Sequence, residues 1–136
     1  MLDTSKTAPS VDAWLRQAKA DPAAAECGMY LTHNGVVRAT PKAEARGVET
    51  DGVEPGKKVG GMLFSYDAAK VQAAIENTLA MPGIGYVRVW LANGELAVGD
   101  DIMYVLIGGD IRPRVVDALQ ALVLSLIHIS EPTRRS

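Results

Sequence analysis

The sequence predicts a single α+β domain with a largely antiparallel sheet. Its 136 residues are enough for one sizeable core but not for two. Apolar residues have helical spacing in three segments and the composition of strands in five others. The predicted order is α-β-β-α-β-β-β-α. Strands that follow one another through short turns favour antiparallel pairing over the βαβ units of a parallel sheet.

The three predicted helices have recognisable starts. The first begins after Ser10, a residue type that caps helix N-termini, and the second is capped by Ser65 or Asp67. The third begins near Asp110 and has Pro113 in its first turn, where a missing N–H costs nothing. Its predicted buried residues are Val115, Val116, Leu119, Leu122 and Val123.

The predicted strands are joined by turn signals. Asn93-Gly94 between two apolar runs predicts a tight hairpin, because both turn positions of the preferred type need positive φ. Gly35, inside the first strand, indicates a bulge or a close backbone approach. Residues 41–56 are rich in Gly, Pro, Glu and Lys and predict a mobile surface loop. The strands are predicted at residues 28–40, 57–64, 85–92, 95–98 and 102–107.

Composition argues against several classes of protein. A net charge of −2 disfavours a general nucleic-acid binder, and no apolar run approaches the roughly 20 residues of a membrane helix. Residues 1–9 are polar, lack the apolar core of a signal peptide and are predicted to be disordered. The single cysteine, Cys27, excludes an internal disulfide and fits a reducing cytoplasm; we interpret it as a packing residue.

The C-terminal segment has an unusual sequence. Residues 124–134 resemble, at every position, the read-through translation of a transposon-type sequencing-library adapter. We therefore expect the natural sequence to stop near Val123, so that residues 10–123 form the domain and residues 124–136 are an artefactual tail. The alternative is a genuine helix end with a polar tail. If residues 124–136 are an artefactual tail, His128 has no function in the natural protein.

The most site-like stretch runs from residue 99 to residue 114. A buried-type strand reaches Gly108-Gly109 and passes directly into a helix whose first turn carries Arg112 and Arg114. Backbone N–H groups and guanidinium groups would then point at one place, as an anionic ligand requires. The alternative is structural: Asp110 caps the helix and pairs with an arginine by itself.

Arg38, just beyond the Gly35 strand, is a second candidate cation, although a solvated arginine at a strand end is the simpler interpretation. His33 is predicted to be a partly packed strand residue, and no His or Cys stands at metal-ligand spacing. No phosphate-binding glycine loop and no nucleophile elbow occur. The basic residues around the loop are predicted to be solvated; they are Lys42, Arg46, Lys57 and Lys58.

Three stretches carry a resemblance to a known family. Residues 28–38, 94–101 and 107–112 resemble, in order and spacing, the large catalytic subunit of molybdopterin synthase. The resemblance extends over about residues 28–123. It implies an α/β hammerhead-type fold that forms homodimers, needs no resident cofactor and accepts the Gly-Gly tail of a small ubiquitin-like subunit. That tail carries a thiocarboxylate, whose sulfur is transferred to a cyclic pyranopterin monophosphate.

The resemblance also implies roles for individual residues. Arg38 matches the family's active-site arginine, and Arg112 matches the arginine that holds the anionic substrate at the start of the last helix; we expect Arg114 to assist there. Ile111 stands where the family usually has histidine. The family's catalytic lysines, in a Pro-x-Trp-Lys-type segment, have no counterpart, so we expect this chain to be inactive. The alternatives are a non-catalytic dimeric module that binds a ubiquitin-like partner or a phosphorylated metabolite, and a purely structural domain.

Overall fold

The computed structural model describes residues 1–39 and 61–135. The loop predicted at residues 41–56, with Lys42 and Arg46, lies outside the described residues. The same is true of residues 57–60, where the second strand is predicted to begin with Lys57 and Lys58.

The described part of the chain contains seven strands, three α-helices and one 3₁₀ turn. The strands are β1 (Leu2–Asp3), β2 (Met29–Val36), β3 (Gly61–Ser65), β4 (Ile84–Leu91), β5 (Gly94–Ala97), β6 (Asp101–Gly109) and β7 (Glu131–Arg135). The helices are α1 (Val11–Lys19), α2 (Ala68–Leu79) and α3 (Arg112–Ile129), and the 3₁₀ turn is Pro22–Glu26.

The strands form two sheets. The larger has the order β1-β4-β6-β2 and the smaller the order β5-β3-β7. Every pair is antiparallel except β1 with β4, which is parallel. The predicted α+β class with a largely antiparallel sheet is therefore confirmed.

Both faces of the larger sheet are covered. Because side chains alternate along a strand, Val87 and Val89 of β4 face a core shared with α2 and α3, while Trp90 faces Trp14 of α1. The predicted caps are confirmed: Ser10 accepts from the Ala13 N–H, and Asp67 from those of Ala69 and Lys70. Fully buried residues on the helical side are Val71, Ile75, Val115, Ala118 and Leu126.

The N-terminal segment differs from the predicted disordered stretch. Leu2 and Asp3 pair with β4, the Met1 amine donates to the Val87 carbonyl, and the indole N–H of Trp90 donates to the Ser5 carbonyl at 2.8 Å. The reason is the free edge of β4, which offers backbone partners to a short polar segment. Hydropathy patterns carry no information about such an edge.

The predicted Asn93-Gly94 hairpin is wrong. β5 pairs with β3 in the smaller sheet, and Gly94 has a φ of +104° whereas Asn93 does not have positive φ. At this end of β4 one edge is taken by β1 and the other by β6, so no edge remains for β5. The turn thus redirects the chain from one sheet to the other.

The last helix continues beyond Val123. It extends to Ile129, because Leu126 continues the apolar stripe of the helix and is fully buried. After the helix, β7 pairs with β3. Any sequence with apolar residues at this helical spacing would pack against an exposed apolar face. The packing therefore does not test the adapter-like origin of residues 124–136, which stays a prediction.

Candidate functional site

The connection from β6 to α3 forms a tight junction. β6 ends at Gly109, Ile111 is the N-cap with extended backbone, and Pro113 lies in the first turn of α3. The Asp110 N–H donates to the Gly83 carbonyl at 2.9 Å, which ties the junction to the turn before β4. A Cβ added at Gly109 would lie 2.6 Å from Val115 Cγ2, so only glycine fits where the strand meets the helix.

Asp110 organises this junction through both carboxylate oxygens. Oδ1 accepts from the Ile111 N–H at 2.7 Å, and Oδ2 accepts from Arg114 Nη1 at 2.8 Å. Arg114 reaches Asp110 because helix side chains point toward the N-terminus, over the preceding turn. The structural alternative is confirmed in one part: Asp110 pairs with an arginine, Arg114, which is therefore not free to bind a substrate. The other part is wrong, because Ile111 is the N-cap, and the only described main-chain N–H that donates to the Asp110 side chain is that of Ile111, outside the helix.

Gly83 supports this ion pair, a role that the sequence analysis missed. Its φ is +81°, and an added Cβ would lie 2.3 Å from Asp110 Oδ1 and 2.6 Å from Arg114 Cδ. We interpreted Pro82-Gly83 only as a helix stop. The Gly-Gly step at the end of β6 was the available signal that backbones approach closely here.

Arg112 is the free cation of the junction. Its side chain is exposed and makes no ion pair or hydrogen bond to any residue in ranges 1–39 and 61–135. No described side chain caps α3 either. The guanidinium group and the positive end of the helix dipole together favour an anion at this position, and without one the cation opposes the dipole.

Arg38 lies at the other end of the larger sheet. The Val37 N–H donates to the Asp100 carbonyl at 3.0 Å, so Val37 is held and buried while Arg38 is exposed. The irregularity predicted at Gly35 is confirmed as a register shift between Gly35 and Val36. An added Cβ at Gly35 would lie 3.1 Å from Met103 Cγ.

One chain does not bring its predicted site residues together. Met29 of β2 stands opposite Gly109 of β6, and Val36 stands opposite Asp101. Arg38 therefore follows one end of this ladder and Arg112 the other, at least roughly 20 Å apart at 3.3 Å per residue. The linear sequence suggests a single site for the two arginines because it does not contain the direction of the strands.

The remaining candidates occupy structural positions. His33 is half-buried on β2, and Cys27 lies against Gly85 and Gly108, where an added Cβ would come within 3.3 Å of its Sγ. Burial, with the neighbouring Cys27, raises the pKa of Tyr30.

Residues 1–39 and 61–135 contain no cluster of His, Cys, Asp or Glu residues that could hold a metal ion. None of the helices in these ranges is long and apolar enough to cross a bilayer.

Comparison by sequence gives no match to a protein-family model or to a curated protein. Comparison by structure gives clear similarities. A chain of the molybdopterin synthase from Staphylococcus aureus has a TM-score of 0.70 at 12% identity, over 96% of this chain and 86% of that one. The molybdopterin biosynthesis MoaE protein from Burkholderia ambifaria has a TM-score of 0.65 at 17% identity, over 92% and 74%.

A third similarity is to a complex. A chain in the complex of subunits 1 and 2 of the molybdopterin-converting factor from Helicobacter pylori has a TM-score of 0.65 at 13% identity. The match covers 98% of this chain and 83% of that one. These matches extend over both sheets and the helices. The chain therefore has the α+β fold of these molybdopterin synthase proteins.

Proposed function

We propose that this chain derives from a molybdopterin synthase large subunit and acts in molybdenum cofactor biosynthesis. The observation that carries the proposal is the match of 92% or more of the chain to structures of that system. The three sequence stretches that resemble the large subunit lie in β2, in the β5–β6 region and at the β6–α3 junction. Fold alone does not determine chemistry, so residues must supply the rest.

Arg112 is the residue we assign to the anionic substrate. The proposed substrate, a cyclic pyranopterin monophosphate, carries a phosphate that a guanidinium group binds with two parallel hydrogen bonds. The exposed Arg112 at the uncapped start of α3 offers that group together with backbone N–H donors. Ile111 in the position of the family's histidine supplies no polar group.

We propose that the chain forms a homodimer, and the position of Arg38 supports this proposal. Since Arg38 and Arg112 of one chain lie at opposite ends of the β2–β6 ladder, a site that uses both must combine two chains. In this proposal Arg38 of one protomer acts on the substrate that Arg112 of the other holds. We also propose that the protein acts in the cytoplasm, a reducing compartment that its single cysteine, Cys27, fits.

The second proposed partner is a small ubiquitin-like subunit. In the sulfur-transfer reaction that the resemblance implies, its C-terminal Gly-Gly would enter as a thiocarboxylate whose sulfur bonds to the pterin; water would then attack the acyl carbon, break its C–S bond and release the tail as a carboxylate. Support comes from the Helicobacter pylori structure, which is a complex of two subunits.

One observation favours the alternative of a binding module without catalysis. No lysine follows Lys70 in the sequence, so α3 and the residues after it contain no candidate for the family's catalytic lysines. A lysine would serve there as a cation or as a nucleophile toward the acyl group. The alternative function that we propose on this ground is binding of substrate and partner without turnover.

The test is a calorimetric titration with cyclic pyranopterin monophosphate. Arg112→Ala is expected to weaken binding by about 1.5–3 kcal/mol, the contribution of a hydrogen bond to a charged group. Arg16→Ala, an exposed arginine on α1, is the matched control and should leave affinity unchanged. Equal affinity of the Arg112 variant and the wild type, with the circular dichroism spectrum intact, would remove Arg112 from the site.

A further inference from the structure

We propose that residues 2–5 form a strap over an interaction surface, the edge of β4, and that a second copy of this chain pairs with this edge when the strap opens. The strap comprises β1 and the two residues after it, of which Ser5 contacts Trp90. This edge lies on the side of the larger sheet opposite β2. The inference is independent of the function proposed for Arg112.

Main-chain groups next to and within the strap occupy the edge of β4. The Val89 N–H donates to the Met1 carbonyl at 2.9 Å, and the indole N–H of Trp90 donates to the Ser5 carbonyl at 2.8 Å. The other edge of β4 is paired with β6. Within residues 1–39 and 61–135, β1 is the only strand on the first edge, so its departure would leave N–H and C=O groups unpaired there.

One ion pair holds the strap closed. Asp3 Oδ2 accepts from Arg88 Nη2 at 3.3 Å, and both side chains are largely buried. Helix α1 positions Arg88, because the guanidinium carbon lies 4.7 Å from the centre of the Trp14 ring and Nη1 donates to Gln17. Arg88 Nε is buried without a hydrogen-bond partner among the described residues. The pair therefore lacks the two parallel hydrogen bonds of the strongest arginine–carboxylate contacts.

Little apolar surface holds the strap in place. Leu2 is half-buried, whereas Thr4 and Ser5 are exposed. None of the residues of the strap belongs to the buried core. The closed state thus depends on a few hydrogen bonds and the ion pair, and segments with so few buried apolar contacts open at a small free-energy cost. The strap can open while the core stays folded.

The uncovered edge is suited to another strand. β4 has the sequence Ile-Gly-Tyr-Val-Arg-Val-Trp-Leu, in which Arg88 is the only charged residue. Aromatic and β-branched residues favour strands, and a long apolar edge with few charges is the kind that pairs with another chain. A second copy carries the same edge, so antiparallel pairing of two β4 strands gives a self-complementary contact. The closed strap prevents this contact.

The test compares Asp3→Lys with the wild type by NMR hydrogen exchange of single amides. Lysine places a second cation beside Arg88 and so opens the strap. The Val89 N–H reports on the covered edge, whereas the main-chain N–H of Arg88 points to β6, since successive N–H groups point to opposite edges. Exchange is followed in a dilute and a concentrated sample, and sedimentation velocity gives the mass in each. Asp117→Lys, at an exposed position on α3, is the charge-matched control.

The expected result depends on concentration. In the dilute sample, Asp3→Lys accelerates exchange of the Val89 N–H at least about ten-fold, the effect of losing a hydrogen bond to a charged group, and leaves that of Arg88 unchanged. In the concentrated sample, exchange at Val89 slows again and the mass exceeds that of the wild type, because a second copy covers the edge. Asp117→Lys behaves like the wild type in both samples.

Three results would overturn the inference. Equal acceleration at Val89 and Arg88 would mean that the whole fold is destabilised rather than the strap. An unchanged rate at Val89 would mean that the ion pair does not hold the strap. Fast exchange at Val89 in the concentrated sample, with the mass of the wild type, would exclude a second copy from this edge. If Asp3→Lys does not fold, Asp3→Asn decides by the same comparisons, with an expected acceleration of about five-fold.

Discussion

Gly83 shows how much a single residue contributes to the junction. It combines a φ of +81° with a crowded Cβ position, whereas Gly94 has a φ of +104° and nothing within 4 Å of an added Cβ. We expect Gly83→Ala to lower the free energy of unfolding by about 2 kcal/mol or more, since left-handed strain and a clash add. Gly94→Ala should cost about 1 kcal/mol from strain alone. Equal losses in urea unfolding would contradict the assigned crowding.

Asp3 gives a residue-scale prediction about pH. Burial by itself raises its pKa, but hydrogen bonds from Ser5 and the Arg88 guanidinium at 3.3 Å outweigh burial and hold the pKa below 3.8. A carboxyl group with a lowered folded-state pKa stabilises the fold above its unfolded-state value and loses this effect as pH falls through the folded-state pKa.

Asp3→Asn should therefore lower the free energy of unfolding at pH 7, by about 1 kcal/mol. The difference from the wild type should shrink as pH falls below about 4, because the wild-type carboxyl is then protonated as well. Thermal unfolding across this range is the measurement. Asp117→Asn, an exposed position on α3, is the control. A difference independent of pH would refute the assigned charge interaction.

At the scale of elements, the extent of α3 makes a direct prediction. Leu126 is fully buried, whereas Leu124 is 57% exposed on the same helix. Leu126→Ala is expected to lower the free energy of unfolding by about 2–4 kcal/mol through lost burial and a residual cavity. Leu124→Ala should change it by no more than about 0.5 kcal/mol. If both variants unfold like the wild type, α3 ends before these residues in solution.

The elements themselves were largely predictable, whereas their pairing was not. Ser10 and Asp67 have side chains that satisfy free N–H groups locally, so the sequence predicted the first helix start and narrowed the second to Ser65 or Asp67. Pairing depends on which strand edges are free in three dimensions. β1 was missed for that reason, and the hairpin at Asn93-Gly94 was wrong because β5 crosses to β3.

At the scale of the whole molecule, the sequence offers candidate residues for a site but does not predict their arrangement. Arg38 and Arg112 were identified by their residue type and their neighbours. Their placement at opposite ends of the β2–β6 ladder depends on antiparallel register, which only the folded chain reveals. The ion pair of Asp110 with Arg114 was easier to predict from the sequence, because residues 110 and 114 are one helical turn apart.

The origin of residues 124–136 also concerns the whole molecule. We predict that an independent read of the source DNA departs from the present sequence after the codon for Val123, since the following segment resembles an adapter. A read that reproduces the segment from separate template would instead make it part of the protein. The structure would then describe its native environment on α3 and β7.

The central claim is that this chain receives the tail of a small ubiquitin-like subunit, and calorimetry of that association tests it most directly. The titrant is a small molybdopterin synthase subunit, either intact or lacking its C-terminal Gly-Gly. We predict one small subunit bound per chain with a dissociation constant of about 1 μM or lower, weakened at least about ten-fold without the Gly-Gly. Absence of binding, or equal binding of both forms by a folded chain, would contradict the account.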